Sequence, residues 1–120
     1  MGIEECYEKM GGNYEEVFGR LPSLSLVERF IAKFLEDDSF QTLCRQAECG
    51  NRAEAFLAAH TLKGVSGNLG FTALYESAAQ LTEELRGAGC VGEKAISLLD
   101  DVKRDYALTT SAISEYLNHK

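Results

Sequence analysis

The sequence contains few residues that interrupt helices, since it has one proline, Pro22, and no tryptophan. Proline breaks a helix interior because it removes a backbone donor and its ring clashes with the preceding turn. No apolar run approaches the ~20 residues that a membrane span needs. No segment shows a convincing period-two alternation that would predict a strand. A chain of 120 residues with these properties is expected to be one all-α domain that does not cross a membrane.

Positive charge is also scarce, because 12 basic side chains stand against 19 acidic ones and the formal net charge is -7. Binding to nucleic acid or to an anionic membrane surface depends on clustered lysine and arginine. Neither partner is therefore expected. The first ten residues, MGIEECYEKM, are acidic rather than basic and apolar. They do not predict a signal peptide, so a cytoplasmic location is expected.

The four cysteines are not arranged as metal ligands. No C-x-x-C pair occurs among them, and no histidine lies between the two that are nearest in sequence. A zinc site is therefore not expected, and we predict no metal site. Two disulfides are formally possible, but without an export signal the expectation is reduced thiols. The cysteines are Cys6, Cys44, Cys49 and Cys90.

Apolar residues recur at helical spacing along most of the chain, and the segments end at glycines. Ser25 with Glu28, and Asn51 with Glu54, have the spacing of capping boxes at helix starts. The pattern predicts bundle helices at about 25–48, 52–69, 73–86 and 92–117, with a bend near residues 37–39. Two short helices within about 3–20 would cover one end. The expected fold is an antiparallel up-down four-helix bundle in a single domain, 1–120.

The helix that begins after Asn51 carries an unusual outward face. With its apolar stripe turned inward, His60 falls almost opposite, and Gly64 and Gly67 lie on the same outer side. Phe56 is on that side as well. Glycine in a helix costs about 1 kcal/mol relative to alanine, so two outward glycines indicate that another molecule must approach the backbone closely. The apolar stripe consists of Ala55, Ala58, Leu62, Val65 and Leu69.

His60 and Lys63 are suited to carrying an anionic group. Neutral imidazole has a nucleophilic nitrogen at physiological pH and can hold a phosphoryl group as a covalent intermediate. Lys63 is one turn away, where its ammonium group would stabilise an anion on the ring. A lone surface histidine or lysine is usually only a solvated residue. The coincidence of both with the two glycines on one strip favours a functional site.

Residues 59–70, AHTLKGVSGNLG, closely resemble the signature of histidine-containing phosphotransfer (HPt) domains, which reads H-x-L-K-G followed by small residues, an apolar residue and glycine. The MGGNYE segment, the FIAKFLEDD helix and the two later helices also stand in the order of that family. The family's usual proline in the middle of the long helix is absent here, where Asp38-Ser39-Phe40 stands instead. This departure affects only the expected bend near residues 37–39.

The resemblance implies a role for each matching residue. His60 would be the phosphoacceptor, Lys63 would stabilise the phosphoryl group, and Gly64 would let the active site of a response regulator reach the imidazole. A polar side chain on the following helix, Thr82 or Gln80, would orient the histidine. We expect Phe56 and Gly67 to belong to the partner-binding surface.

The resemblance also implies the activity, the partners and the cofactor requirement of the chain. The protein would be a monomeric phosphocarrier in a two-component phosphorelay rather than an enzyme with its own nucleotide site. Its partners would be response-regulator receiver domains and hybrid histidine kinases. It would hold no cofactor, because the Mg²⁺ used in transfer belongs to the response regulator.

Other functions remain open from the sequence. The strongest alternative is a non-catalytic helical adaptor that binds receiver domains or other signalling proteins without relaying phosphate. The phosphotransfer module of a chemotaxis-type kinase is a second alternative. A nucleotide-dependent enzyme is not supported, because no G-x-x-x-x-G-K-[ST] string occurs. A di-iron bundle enzyme would need Glu-x-x-His pairs, and neither histidine has one.

Overall fold

The computed structural model describes residues 1–87 and 89–120. In these two ranges the chain forms seven α-helices and no β-strand, as the sequence predicts for an all-α protein. The helices are α1 (Ile3–Met10), α2 (Tyr14–Arg20), α3 (Leu24–Phe34), α4 (Ser39–Glu48), α5 (Arg52–Asn68), α6 (Thr72–Leu85) and α7 (Glu93–Asn118).

Polar side chains cap the starts of three helices. Asn13 accepts a hydrogen bond from the Glu16 backbone N–H, and Asn51 accepts one from that of Glu54. Both contacts satisfy a donor that the first helical turn leaves unpaired. At α3 the expected cap, Ser25, is wrong, because Ser23 Oγ accepts from the Leu26 N–H instead. The helix therefore begins at Leu24, two residues earlier than a cap at Ser25 indicates.

The helix predicted over residues 25–48 is two helices, because the chain bends between α3 and α4. The Asp37 carboxylate accepts a hydrogen bond of 2.8 Å from the backbone N–H of Ser39, the first residue of α4. Aspartate favours such local side-chain contacts, which compete with helix continuation. The bend therefore lies at the expected place, although the chain has no proline there.

Helix α5 lies between α4 and α6, and α6 in turn packs against α7. The amino-terminal helix α1 covers part of α7, with smaller contacts from α3 and α4. The core is apolar and includes Leu62 of α5, Leu74 of α6 and Ile113 of α7, all with no exposed side-chain surface. No described helix is both long enough and apolar enough to cross a bilayer.

The loop between α5 and α6 is held against the loop between α1 and α2. Gly70 has a φ of 74°, a left-handed conformation that glycine adopts without strain. A Cβ at Gly70 would lie 2.6 Å from the Asn13 carbonyl oxygen, and the Asn13 N–H donates to the Gly70 carbonyl at 2.8 Å. Glycine is needed here for its left-handed φ and because a Cβ would collide with the Asn13 backbone. The two loops therefore touch through their backbones.

Arg52, at the start of α5, fixes the other end of the α5–α6 pair. Its guanidinium donates to the backbone carbonyls of Leu85, at 3.2 Å, and of Glu84, Arg86 and Cys90. The last carbonyls of α6 have no partners within the helix, so this side chain supplies them. The start of α5 is thereby held beside the end of α6, and the two helices run antiparallel.

All four cysteines are free thiols in the described part of the chain, as expected. Cys6 is fully buried, and its thiol donates to the Ala112 carbonyl. Burial raises the pKa of Cys6 to about 11. The thiol is therefore an inert part of the packing between α1 and α7.

Candidate functional site

The residues singled out on α5 lie on its outer face. The buried side of the helix consists of Ala55, Ala58, Ala59, Leu62 and Ser66. His60 is exposed, as the expected helix orientation requires. No described residue forms a hydrogen bond with its imidazole. The ring is therefore exposed to solvent, and neither of its nitrogens is occupied by a hydrogen bond within the described residues.

The two glycines differ in what surrounds them. A Cβ at Gly64 would meet no atom within 4 Å, so the backbone one turn after His60 is open to a large partner. A Cβ at Gly67 would lie 3.0 Å and 3.1 Å from ring atoms of Tyr75 on α6. The expectation of bare backbone therefore holds at Gly64 and is wrong at Gly67, which makes room for the Tyr75 ring.

Lys63 is partly buried beside His60, at the edge of α5 that faces α6. It is close enough to Glu83 of α6 to help hold the pKa of that carboxyl below its usual value, although the main cause is the hydrogen-bonded Arg86. The surface around His60 and Lys63 therefore also contains a carboxylate contributed by the neighbouring helix. Lys63 is not ion-paired with Glu83 at direct contact distance, so its ammonium group remains available to an anion on His60.

Aromatic and apolar surface flanks the imidazole. The rings of Phe56 and His60 stack with centroids 6.0 Å apart and an angle of 18° between their planes. Leu57, one position further around α5, is 55% exposed. A single exposed leucine is common on protein surfaces, but beside Phe56 it extends the apolar area next to the imidazole. The sequence pattern had not singled out Leu57.

Neither of the two residues expected to orient the histidine forms a hydrogen bond with it. Thr82 is fully buried, and its hydroxyl donates to the Ala78 carbonyl of the same helix at 2.7 Å, so it is unavailable to His60. Gln80 is exposed and lines a cavity with Lys94 and Leu98 of α7. The assignment of Thr82 is wrong on this geometry, and Gln80 forms no hydrogen bond with the imidazole.

Two residues at the end of α6 face the site, Glu83 in its last turn and Arg86, the residue that follows the helix, and the sequence pattern missed both. Arg86 places its guanidinium carbon 5.1 Å from the centroid of the Phe56 ring. Its side chain also forms a two-point ion pair with Glu83, with contacts of 2.9 Å and 3.3 Å. Their i, i+3 spacing was visible in the sequence, but only the antiparallel packing of α5 and α6 shows that both approach Phe56 and Lys63.

No group of three or more metal-ligating side chains occurs among the described residues. The acidic residue of the site, Glu83, is ion-paired with an arginine. The arrangement is that of an exposed nucleophile with a nearby ammonium group and a clear approach, which is what phosphoryl transfer asks of a protein.

An exposed histidine with a lysine one turn away on an all-helical domain is the arrangement expected of a histidine phosphotransfer module. The family model described as the Hpt domain matches residues 25–108, which are 84 of the 120 residues. The chain therefore belongs to the Hpt domain family, whose members take part in histidine phosphotransfer in phosphorelays as carriers rather than catalysts. No curated protein and no solved structure matches the chain.

Proposed function

We propose that His60 is the phosphoacceptor of this domain and that it exchanges its phosphoryl group with aspartates of response-regulator receiver domains. The observation that carries the proposal is the exposed imidazole of His60 next to the open backbone at Gly64. A receiver domain bears its aspartate in a concave active site, so a donor or acceptor must project from a surface that allows close approach. The face of α5 around His60 has that shape.

The transfer needs little from this chain beyond position and charge. An imidazole nitrogen of His60 attacks phosphorus, a P–N bond forms, and the P–O bond to the receiver aspartate breaks and leaves a carboxylate. The imidazole N–H proton is released, so the phosphorylated ring is neutral apart from the phosphoryl oxygens. Lys63 stabilises the charge on those oxygens. The reverse sequence returns the group to an aspartate, with Mg²⁺ bound by the receiver.

The remaining features of the proposal follow from the family and the fold. The partners are receiver domains and the hybrid histidine kinases that carry them, and the protein acts as a cytoplasmic monomer. It has no nucleotide site and no cofactor of its own. Helices α3 to α7 would form the up-down four-helix bundle, with the bent pair α3 and α4 counted as one helix and α1 and α2 as the cover at one end.

The test is transfer from a phosphorylated receiver domain to the wild-type protein and to His60→Gln. The chain provides a matched control, because its other histidine, His119, lies exposed at the end of α7. Wild type and His119→Gln should gain an acid-labile, alkali-stable label, and His60→Gln should gain none. All three should unfold at nearly the same temperature, since both side chains point into solvent. A label that persists in His60→Gln would refute the proposal.

The alternative function is a non-catalytic adaptor that binds receivers without relaying phosphate. The exposed Leu57 beside Phe56 fits binding, but an adaptor does not require His60 or Lys63. Receiver binding without label on the wild-type protein, across all receivers of the source organism, would favour the adaptor.

A further inference from the structure

The ring of Phe56 contacts both the His60 imidazole and the Arg86 guanidinium. On α5 it stacks with the His60 imidazole, within the 4.5–7 Å range in which offset aromatic pairs attract. From α6, the Arg86 guanidinium lies over the ring at 5.1 Å, within the distance at which a cation is attracted to an aromatic face. Phe56 is therefore a physical link between the end of α6 and the imidazole.

Arg86 is held in place from two directions. Its guanidinium is ion-paired with both carboxylate oxygens of Glu83, and its backbone carbonyl accepts a hydrogen bond from Arg52. The two-point geometry fixes the plane of the guanidinium as well as its position. An arginine with its backbone and its side chain both restrained can in turn restrain the ring beneath it.

The imidazole has no such restraint of its own, because no described side chain forms a hydrogen bond with it. An exposed side chain without a partner samples several rotamers, and only some of them direct a ring nitrogen outward over Gly64. Stacking against the Phe56 ring is an aromatic contact of the imidazole, and it favours one orientation of the His60 ring. The expected orienting residues, Thr82 and Gln80, do not supply it.

We propose that Glu83 and Arg86 are positioning residues for His60, which act through the ring of Phe56. The inference rests on the proposed role of His60 as phosphoacceptor. Glu83 holds Arg86, Arg86 holds Phe56, and Phe56 holds the imidazole in the orientation from which it attacks phosphorus. Loss of any member widens the range of imidazole orientations and slows phosphorylation, while the nucleophile itself is unchanged.

The experiment uses the full-length chain and phosphoramidate, a small phosphodonor that needs no partner protein. An imidazole nitrogen of His60 displaces ammonia from phosphorus: a P–N bond to the ring forms, the P–N bond of the donor breaks, and the leaving amine takes a proton. Phe56→Leu, Arg86→Ala and Glu83→Ala should each slow this reaction roughly two- to tenfold, the size expected for loss of one aromatic contact. Phe56→Tyr keeps the ring and should restore most of the rate.

Arg104→Ala provides the matched control. Arg104 is also an exposed arginine ion-paired with an acidic residue three positions away, Asp101, but it lies on α7. Its removal should leave the rate at the wild-type value. Nuclear Overhauser contacts between the Phe56 and His60 rings give a second readout, which should weaken in Arg86→Ala and persist in Arg104→Ala.

Wild-type rate and ring contacts in Arg86→Ala would overturn the positioning role, and so would an equal loss of rate in Arg104→Ala. Loss of the ring contacts without loss of rate would also overturn it, since the orientation would then not matter. A wild-type protein that takes phosphate from neither phosphoramidate nor receivers would refute the proposed function instead. In that case, ring contacts that weaken in Arg86→Ala alone would still support the restraint by Arg86, and unchanged contacts would reject it.

Discussion

The ring of Tyr75 on α6 lies against the backbone of α5 at Gly67, so closely that a Cβ there would be 3.0 Å from the ring. One turn earlier, at Gly64, the same helix face is open. Two glycines that look equivalent in the sequence therefore serve different purposes. Gly67 allows α5 and α6 to pack, and Gly64 leaves space for something outside the chain.

The first prediction is that alanine at these two positions will have different effects on stability. Gly64→Ala should stabilise the protein by about 1 kcal/mol, because it removes the helix cost of glycine and meets no neighbour. Gly67→Ala should gain clearly less or lose stability, because the Tyr75 ring must move to admit the methyl group. Urea unfolding of both variants measures the difference.

Adding Tyr75→Ala to each glycine variant gives the control. Tyr75 is 38% exposed, so its removal is expected to be tolerated. In that background the two alanine substitutions should become nearly equal. An equal gain at both positions in the presence of Tyr75 would mean that the ring does not constrain Gly67.

The second prediction concerns the open space itself. Gly64→Leu should reduce transfer from a phosphorylated receiver at least tenfold, because a large side chain would stand where the receiver must approach the imidazole. The helix should remain at least as stable, since leucine is a better helix former than glycine. Gly19→Leu is the matched control, because Gly19 is also helical and its Cβ position is also empty. A wild-type transfer rate in Gly64→Leu would show that this clearance is not needed.

Much of the site could be predicted from α5 alone, because helix periodicity relates its residues directly. The outward position of His60, its distance of one turn from Lys63 and the start of the helix at Asn51 depend only on local sequence. The residues that α6 contributes to the site could not be predicted from helix periodicity. Which of its residues face α5 depends on the rotation and register of the two helices, so Thr82 was assigned to the site although its side chain points into the core.

The break between α3 and α4 could not be predicted from periodicity either. Apolar residues recur at helical spacing up to Leu35 and again from Phe40, so the periodicity favours one long helix with a bend between them. The hydrogen bond that the Asp37 carboxylate accepts from the Ser39 N–H holds the chain at the start of a second helix, and it depends on local geometry rather than on periodicity. The capping residue of α3 was misplaced for the same reason, because Ser23 and Ser25 are both suitable and only the chain path after Pro22 selects Ser23.

The third prediction tests the role of Lys63. Lys63→Ala should slow phosphotransfer or shorten the lifetime of phosphohistidine by roughly tenfold, the effect of losing about 1.4 kcal/mol of charge stabilisation. The fold should be unaffected, because the ammonium group lies at the surface. Lys94→Ala is the control, since Lys94 is an exposed lysine near an acidic residue of α6, Glu84, on the side that faces α7. Equal rates and lifetimes in wild type and Lys63→Ala would show that Lys63 does not stabilise the phosphoryl group.

The last prediction concerns acid stability and involves residues remote from His60. Tyr116 of α7 donates a 2.6 Å hydrogen bond to the carboxylate of Glu28 on α3, and Lys120 lies 3.4 Å from the other carboxylate oxygen. The hydrogen bond from Tyr116 is the main cause that lowers the pKa of Glu28 below its ordinary value of 4.5. A lowered carboxyl pKa means that the folded state binds the proton less readily than the unfolded state.

The contribution of Glu28 to stability is therefore fully present above a pH of about 4.5 and is lost as the pH falls through the lower folded pKa. Tyr116→Phe keeps the buried ring and removes only the donor, so it should cost about 1 kcal/mol at neutral pH and less in acid, where the carboxyl is protonated in both states. Urea unfolding at neutral pH and below pH 3 would measure the two values. An equal loss at both pH values would show that the tyrosine acts through packing alone, and the link between α3 and the end of α7 would then not depend on the charge of Glu28.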